Sequence, residues 1–280
     1  MIQNNEDKTV TDGWLGKLSL SFADRLANDE QWRTELIDRQ QQGPLTIQRP
    51  FYPEGKPCHI YLLHPPGGIV GGDKLELDIF LDHESHLLMT MPGASKYYRS
   101  HNNIAQLKQK VTLASDSIIE WLPQENIFFN GSNANLTTEF NLALGSRLLG
   151  WENLCFGRPV MHEKFQQGNI KSRLTINLPD ELGLDEHLKI INGNCAPIGN
   201  YPYSATLFAY PIEPAILQLV QKRLEDSIIP IGATALGQLL IVRLLANDNQ
   251  ICQQYLQRLW SLLRPLIINL PACPPRIWAT

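Results

Sequence analysis

Positive charge is scarce in this chain: 24 Lys and Arg stand against 28 Asp and Glu over 280 residues, a formal net charge of −4. No long basic run appears, which argues against a nucleic-acid or anionic-membrane surface, since both want clustered positive charge. Long apolar runs are missing too: the longest, around 236–245, is interrupted by Gln238 and Arg243 and is too short for a bilayer. The N-terminus, MIQNNEDKTVTDG, is polar and acidic, unlike a signal or transit peptide. The five cysteines (58, 155, 195, 252 and 273) are odd in number and scattered, with no CxxC. A reduced cytoplasmic protein with mostly buried thiols is expected. GxGxxG and GxSxG are absent, and Gly93-Ala94-Ser95-Lys96 has neither a second glycine nor Ser-x-x-Lys spacing. A serine nucleophile therefore has no anchor.

What is present is a globular composition, 43% apolar and 19% charged, long enough to bury a substantial core. The low charge hints at surface normally covered by partners and at poor solubility without them. Trp14–Phe22 alternates apolar and polar residues like a half-buried strand. Asn28–Gln42 reads as a loop or a weak pair of strands, and Leu45–Gln48 and Cys58–Leu63 read as strands. Three later segments, DIFLDHESHLLMTMP (78–92), KVTLASDSIIEWLP (110–123) and EFNLALGSRLLGWE (139–152), share one pattern: strand, tight turn ending in serine, strand. Ser85, Ser117 and Ser146 are spaced by 32 and then 29 residues. Such a degenerate repeat predicts stacked layers of strands around a common core.

The last third changes character. Glu213–Asp226 has helical spacing and a proline near its start, whereas Ile231–Leu245 reads as a strand pair. Asn247–Arg264 is the strongest helix signal, with an Asn or Asp cap, a stripe of Ile251, Tyr255, Leu256, Leu259, Leu262 and Leu263, and Pro265 to end it. One continuous domain over 1–280 is expected, β-rich over 14–210, with helices at about 213–226 and 247–264. The fold class is mainly β, a stacked multi-layer β-sandwich or solenoid-like array with two helices near the C-terminus.

The stretch HPPGGIVGGDK (64–74) packs four glycines and two prolines into eleven residues. Gly67 and Gly72 have the spacing of a phosphate-cradling loop, but Asp73 would repel a phosphate and Leu75 stands where a hydroxyl is needed. The following LELDIFLD is a strand, so no helix N-terminus is available. What remains is a long shaped turn between two strands, and Asp73 suits a cation better than an anion.

Metal ligands are the better-populated category: Cys58 and His59, His64, the HxxH of His83 and His86, and His101. An HxxH in a turn holds a metal only if its side chains converge; solvated turn histidines are the plain alternative. Glu120 and Glu152 lie beside tryptophans in apolar strands, where a buried carboxylate needs a partner; Arg99, Arg147 and Arg158 are available. Structural ion pairs are the more frequent explanation for such carboxylates.

Taken together, HPPGGIVGGDKL, MPGASKYYRS, WLPQENIFFNG, LLGWENLCFGRP, GPLTIQRPFYPEG and the closing PPRIWAT resemble the signature blocks of the urease accessory protein D family (UreD, or UreH). The blocks follow the family order from Gly43 to Thr280, and 167–194 departs most. The resemblance implies a non-catalytic scaffold of urease maturation, mostly stacked β-strands with two helices. Its implied partners are the urease apoprotein and UreF, which carries the GTPase UreG; neither nucleic acid nor membrane is implied. It also implies no tightly bound cofactor, only nickel in transit through an internal passage. Weak ligands spaced along a wet path suit such transit, and Asp73, Glu152, Cys155 and Glu186 are the expected polar lining. Tyr97, Tyr98, Phe128 and Phe129, expected to be exposed, are candidate partner anchors, with core filling as the alternative. Two rival readings stay open: a metal-dependent hydrolase built on Cys58, His59, His64 and Asp73, and an adaptor that never meets nickel.

Overall fold

The computed structural model of the chain describes residues 13–27 and 30–279. The readings placed on residues 1–12 and on Asn28 lie outside the described residues. Among the described residues eighteen strands, numbered in chain order, are distributed over two sheets. The first, seven-stranded, sheet contains β1 (Leu15–Leu26), β2 (Trp32–Gln42), β5 (Lys74–Leu81), β8 (Ala105–Leu113), β11 (Asn133–Leu142), β14 (Asn169–Asn177) and β15 (Leu184–Ile190), in the order β15-β14-β11-β8-β5-β1-β2. The main run of the second consists of β3 (Thr46–Ile47), β4 (Cys58–Leu63), β6 (His86–Thr90), β9 (Ile118–Leu122), β12 (Arg147–Arg158), β16 (Tyr203–Tyr210), β17 (Ile231–Leu236) and β18 (Leu239–Ala246). Its order is β17-β18-β16-β12-β9-β6-β4-β3, and β7 (Ser95–Tyr97), β10 (Asn126–Phe128) and β13 (Glu163–Lys164) attach beside β12.

The repeat seen in the sequence is the building unit of this solenoid-like stack. In each copy the first strand joins one sheet and the second joins the other. The pairs β5/β6, β8/β9 and β11/β12 therefore stack as successive parallel coils. Leu75 pairs with Leu107 and Leu107 with Leu136, the same offsets of 32 and 29 that separate the serines. The turns coincide in conformation: Glu84, Asp116 and Gly145, each one residue before its serine, all take positive φ (58°, 59° and 77°). Ser117 and Ser146 donate to the carbonyls of Ala114 and Ala143 at 2.7 and 2.6 Å, closing their own turns. All three serines are buried, and Ser85 donates instead to the Phe22 carbonyl at 3.3 Å, so a satisfied hydroxyl is what lets each turn sit inside the stack.

Alternation along β12 shows how the layers share their cores. Leu148, Leu154 and Phe156 point between the two sheets, whereas Leu149, Trp151 and Cys155 point to the outer face of the second sheet. That outer face is covered by α1 (Pro214–Leu224) and α2 (Asn249–Ile267), giving sheet, sheet and helix layers. The Asp248 carboxylate caps α2 by accepting the Ile251 N–H at 3.1 Å. Pro265 does not end α2, contrary to expectation; the helix runs on to Ile267. Burial of Leu263 and Ile267 holds the last turn against the roughly 3 kcal/mol cost of an interior proline. The buried face of α2 also carries Trp260 and Arg264, which the apolar stripe omitted, while Ile251, Tyr255 and Leu262 are only partly buried. Residues 32–42 form one long strand, β2, antiparallel to β1. The divergent stretch 167–194 holds the strand pair β14 and β15. Among the described residues no helix is long and apolar enough to cross a membrane.

One ionic network ties α2 to the sheet beneath it. Arg264, fully buried, donates to Glu120 from Nε (2.9 Å) and Nη2 (3.0 Å), and to Glu54 from Nη1 (2.7 Å) and Nη2 (2.8 Å). Trp260 Nε1 donates to Glu120 at 2.8 Å, and the rings of His86 and His59 lie 2.9 and 2.8 Å from Glu120 and Glu54. Burial works to raise the Glu120 carboxyl, but His86 and Arg264 outweigh it and hold it at about 2, below its ordinary 4.5. A depressed carboxylate stabilises the fold above its ordinary value, and that contribution is lost as pH falls through the folded value. Replacing Glu120 by Gln removes one of the two carboxylates that compensate the buried charge of Arg264 and leaves Glu54 to carry it alone. Urea unfolding of Glu120→Gln is expected to show a loss of about 3–5 kcal/mol at neutral pH, with a smaller further loss on acidification than the parent shows.

Candidate functional site

The interior between the sheets is apolar in most cross-strand rows and polar in one. In the first sheet the row Leu75, Leu107, Leu136, Ser172, Leu188 is followed by Leu77, Gln109, Thr138, Leu174, Glu186, and then by Ile79, Val111, Phe140, Ile176, Leu184. The middle row thus places Gln109, Thr138 and Glu186 among aliphatic neighbours. Facing it in the second sheet is the row Glu152, Thr206, Arg243, Gly232.

The two polar rows meet at both ends. Thr138 hydrogen-bonds the Glu152 carboxylate, and Arg243 clasps Glu186 with two bonds, Nε at 3.0 Å and Nη2 at 2.8 Å. Between them lies a cavity of about 350 Å3 lined by Glu152, Ser172, Glu186, Ser204, Thr206 and Arg243. Glu152 is half-buried, and the cavity it lines opens to solvent. Burial, opposed by the Thr138 hydrogen bond and reinforced by the charge of Glu186, raises the Glu152 carboxyl to about 7. Burial and then the charge of Glu152 push the Tyr97 hydroxyl up.

Of the four expected lining residues, the structure brings two together. Glu152 and Glu186 share the cavity. Cys155 lies three positions along β12 from Glu152 and so points to the opposite face, into the core beneath α2. Burial pushes its thiol up to about 12. Asp73 is nearly buried, and its two oxygens accept the N–H groups of Trp14 and Val70, each at 2.8 Å. Its carboxylate thereby braces the glycine-rich turn that joins β4 to β5.

The four connector aromatics divide in the same way. Tyr97 and Phe128 are fully buried, a correction to the expected exposure, because strands β7 and β10 turn alternate residues inward. Tyr98 and Phe129 reach the surface, where their rings meet edge to face at 4.9 Å and Arg158 lies over Phe129. The Tyr98 hydroxyl donates to the Gly67 carbonyl at 3.1 Å. A Cβ on Gly68 would stand 2.2 Å from the Tyr98 ring, and Gly72 takes a φ of 101°. A Cβ on Gly71 would stand 2.5 Å from the Asn103 carbonyl oxygen, so three of the four loop glycines are required by close approach or by backbone conformation.

The histidine reading dissolves. His83 sits on an exposed turn and His86 points inward to Glu120, so the HxxH side chains diverge. His59 is buried against Glu54, His64 is half-buried and His101 is exposed. Among the described residues no group of three or more His, Cys, Asp or Glu is placed to hold a metal ion. Glu120 is an ion-pair carboxylate as expected, but its partner is Arg264, not the arginines nearer in sequence. Sequence reasoning missed Gln109, Thr138, Thr206 and Arg243. Gln109, Thr138 and Arg243 are each polar at a strand position whose parity is otherwise apolar, and that was their available signal; Thr206 shares its parity with Ser204.

These features define a β-solenoid sandwich with a polar, acid-bearing cavity between its sheets. The chain belongs to the UreD urease accessory protein family, whose model matches residues 15–279. It is 53% identical over 280 residues to the urease accessory protein UreD of Pseudomonas entomophila strain L48, covering 100% of this chain and 99% of that one. The UreD of Pseudomonas putida strain W619 is 54% identical over 268 residues (96% and 95% covered), and that of Enterobacter sp. strain 638 is 45% identical over 279 residues, with both chains covered fully.

The raised Glu152 carboxyl carries a checkable sign. Its neutral form favours the fold, so this contribution is present below the ordinary value of 4.5 and is lost as pH rises through about 7. Carbon NMR of the labelled carboxyl should show Glu152 titrating near that point, and at lower pH once Glu186→Gln removes the neighbouring charge. The variant Glu152→Gln should gain stability relative to the parent on the alkaline side.

Proposed function

We infer that this chain is a non-catalytic scaffold of urease maturation in the cytoplasm. It bridges the urease apoprotein and UreF, which carries the GTPase UreG, and lets nickel pass through the cavity between its sheets. The observation that carries this reading is the pair of facing polar rows. A polar row inside a β-sandwich costs stability unless it is hydrogen-bonded or meets a polar occupant, and Glu186 on β15 of one sheet and Glu152 on β12 of the other line the same cavity.

The donor set suits cargo in transit. Glu152 and Glu186 offer hard oxygen ligands, and Ser172, Ser204 and Thr206 offer hydroxyls and room for water. With too few ligands for a closed coordination shell, the cavity would hold nickel weakly enough to release it. Tyr98 and Phe129, cross-braced at the surface, supply a rigid aromatic patch for one of the protein partners.

The test is reconstitution of nickel-dependent urease activation from apoprotein, UreF, UreG and this chain. Omitting the chain is expected to abolish activation. The double variant Glu152→Gln/Glu186→Gln is expected to co-purify with the partners yet to activate urease severalfold more slowly when nickel is limiting. Unchanged activation by that variant would favour the adaptor that never meets nickel.

A further inference from the structure

We propose that Arg243 is a swinging gate on the cavity: its guanidinium holds Glu186 closed against cations and is released by moving over Gly232. This rests on the reading of the cavity as a cation path. Three observations on separate elements carry it.

First, the Arg243–Glu186 pair joins the two sheets across their open side, from β18 to β15, at the rim of the cavity. Both partners are about a third to a half exposed. Second, the bidentate clasp engages both oxygens of Glu186, and a fixed guanidinium at the rim repels any divalent cation that approaches. In the closed state the cavity therefore offers a cation one unpaired carboxyl and one that is occupied. Third, the cross-strand neighbour of Arg243 on the far side from Thr206 is Gly232. A Cβ built on Gly232 would meet nothing within 4 Å, and its φ is not in the left-handed region, so neither sterics nor backbone conformation of this chain requires glycine there. The missing side chain leaves an open berth beside the arginine, on the same face of the sheet.

An exposed ion pair holds with about 1 kcal/mol or less, so the clasp opens readily on thermal motion. Opening it turns one free carboxyl into two facing ones and removes a like charge from the rim. Arg243 thus acts as a positioning residue for the path, coupling entry of a divalent cation to release of Glu186.

The test is nickel binding to the purified chain, measured by competition with a colorimetric chelator and by stopped flow, with urea unfolding as a check on folding. The variant Arg243→Gln should bind nickel about fivefold more tightly, the factor that about 1 kcal/mol of ion pair represents. Arg243→Lys, which keeps the charge but loses the two-point clasp, should fall between. Adding Glu186→Gln to Arg243→Gln should remove the gain. Gly232→Ile, which fills the berth while leaving the pair intact, should slow nickel entry without unfolding the protein. If Glu152→Gln/Glu186→Gln weakens nickel binding but Arg243→Gln binds no more tightly than the parent, the gate is overturned and the path stands. If the carboxylate variant binds nickel as the parent does, both are overturned.

Discussion

Parallel register between successive coils is the constraint on which the rest of the molecule depends. Each strand–turn–strand unit sends one strand to each sheet, and the backbone ladders stack unit on unit without slippage. A slip of one residue would exchange the inner and outer faces of a strand. The buried serines and the left-handed residues before them make that slip costly, because they fit only where the turns coincide. With the turns aligned, Leu lies over Leu between the sheets, and one row further on Gln109 lies over Thr138. The polar track is a consequence of the same stacking that builds the core.

Beta12 is where the two cores and the cavity are reconciled. Its even-numbered residues face the sandwich interior and its odd-numbered ones face α2. Glu152 therefore reaches the cavity while Trp151 and Asn153 bind the helical layer; the Asn153 side chain accepts from the Cys252 thiol of α2. This strand thus packs against both layers, with the cavity on one face and α2 on the other. The Glu54–Arg264–Glu120 network fixes that helix with buried charge, a costly device that makes its seat specific.

The two carboxylate systems illustrate opposite uses of burial. Around Glu120 every oxygen is met by a cation, an indole or an imidazole, and the charged form is strongly favoured. Around Glu152 the neighbours are a threonine and another carboxylate, and the neutral form is favoured. The first arrangement is finished and closed. The second leaves a charge deficit that a passing cation would satisfy, which is the electrostatic core of the proposed role.

Much was decided by the sequence alone. Period-two alternation marked the strands, the serine spacing of 32 and 29 matched the ladder offsets, and the ordered blocks marked the family. Those signals are local or repeat along the chain, so they survive without a third dimension. Tertiary structure alone decided which polar residues meet. Arg264 reaches Glu120 across 144 positions and Arg243 reaches Glu186 across 57, and no spacing rule announces either pair. It also separated Cys155 from Glu152, although parity on a strand would have done so once the strand was known. Asp73, Tyr97 and Phe128 were conspicuous in sequence for their company, but burial and backbone hydrogen bonding depend on what packs above them. Local pattern determines which element forms and which way each residue faces; only the closing of one sheet over another determines what it faces.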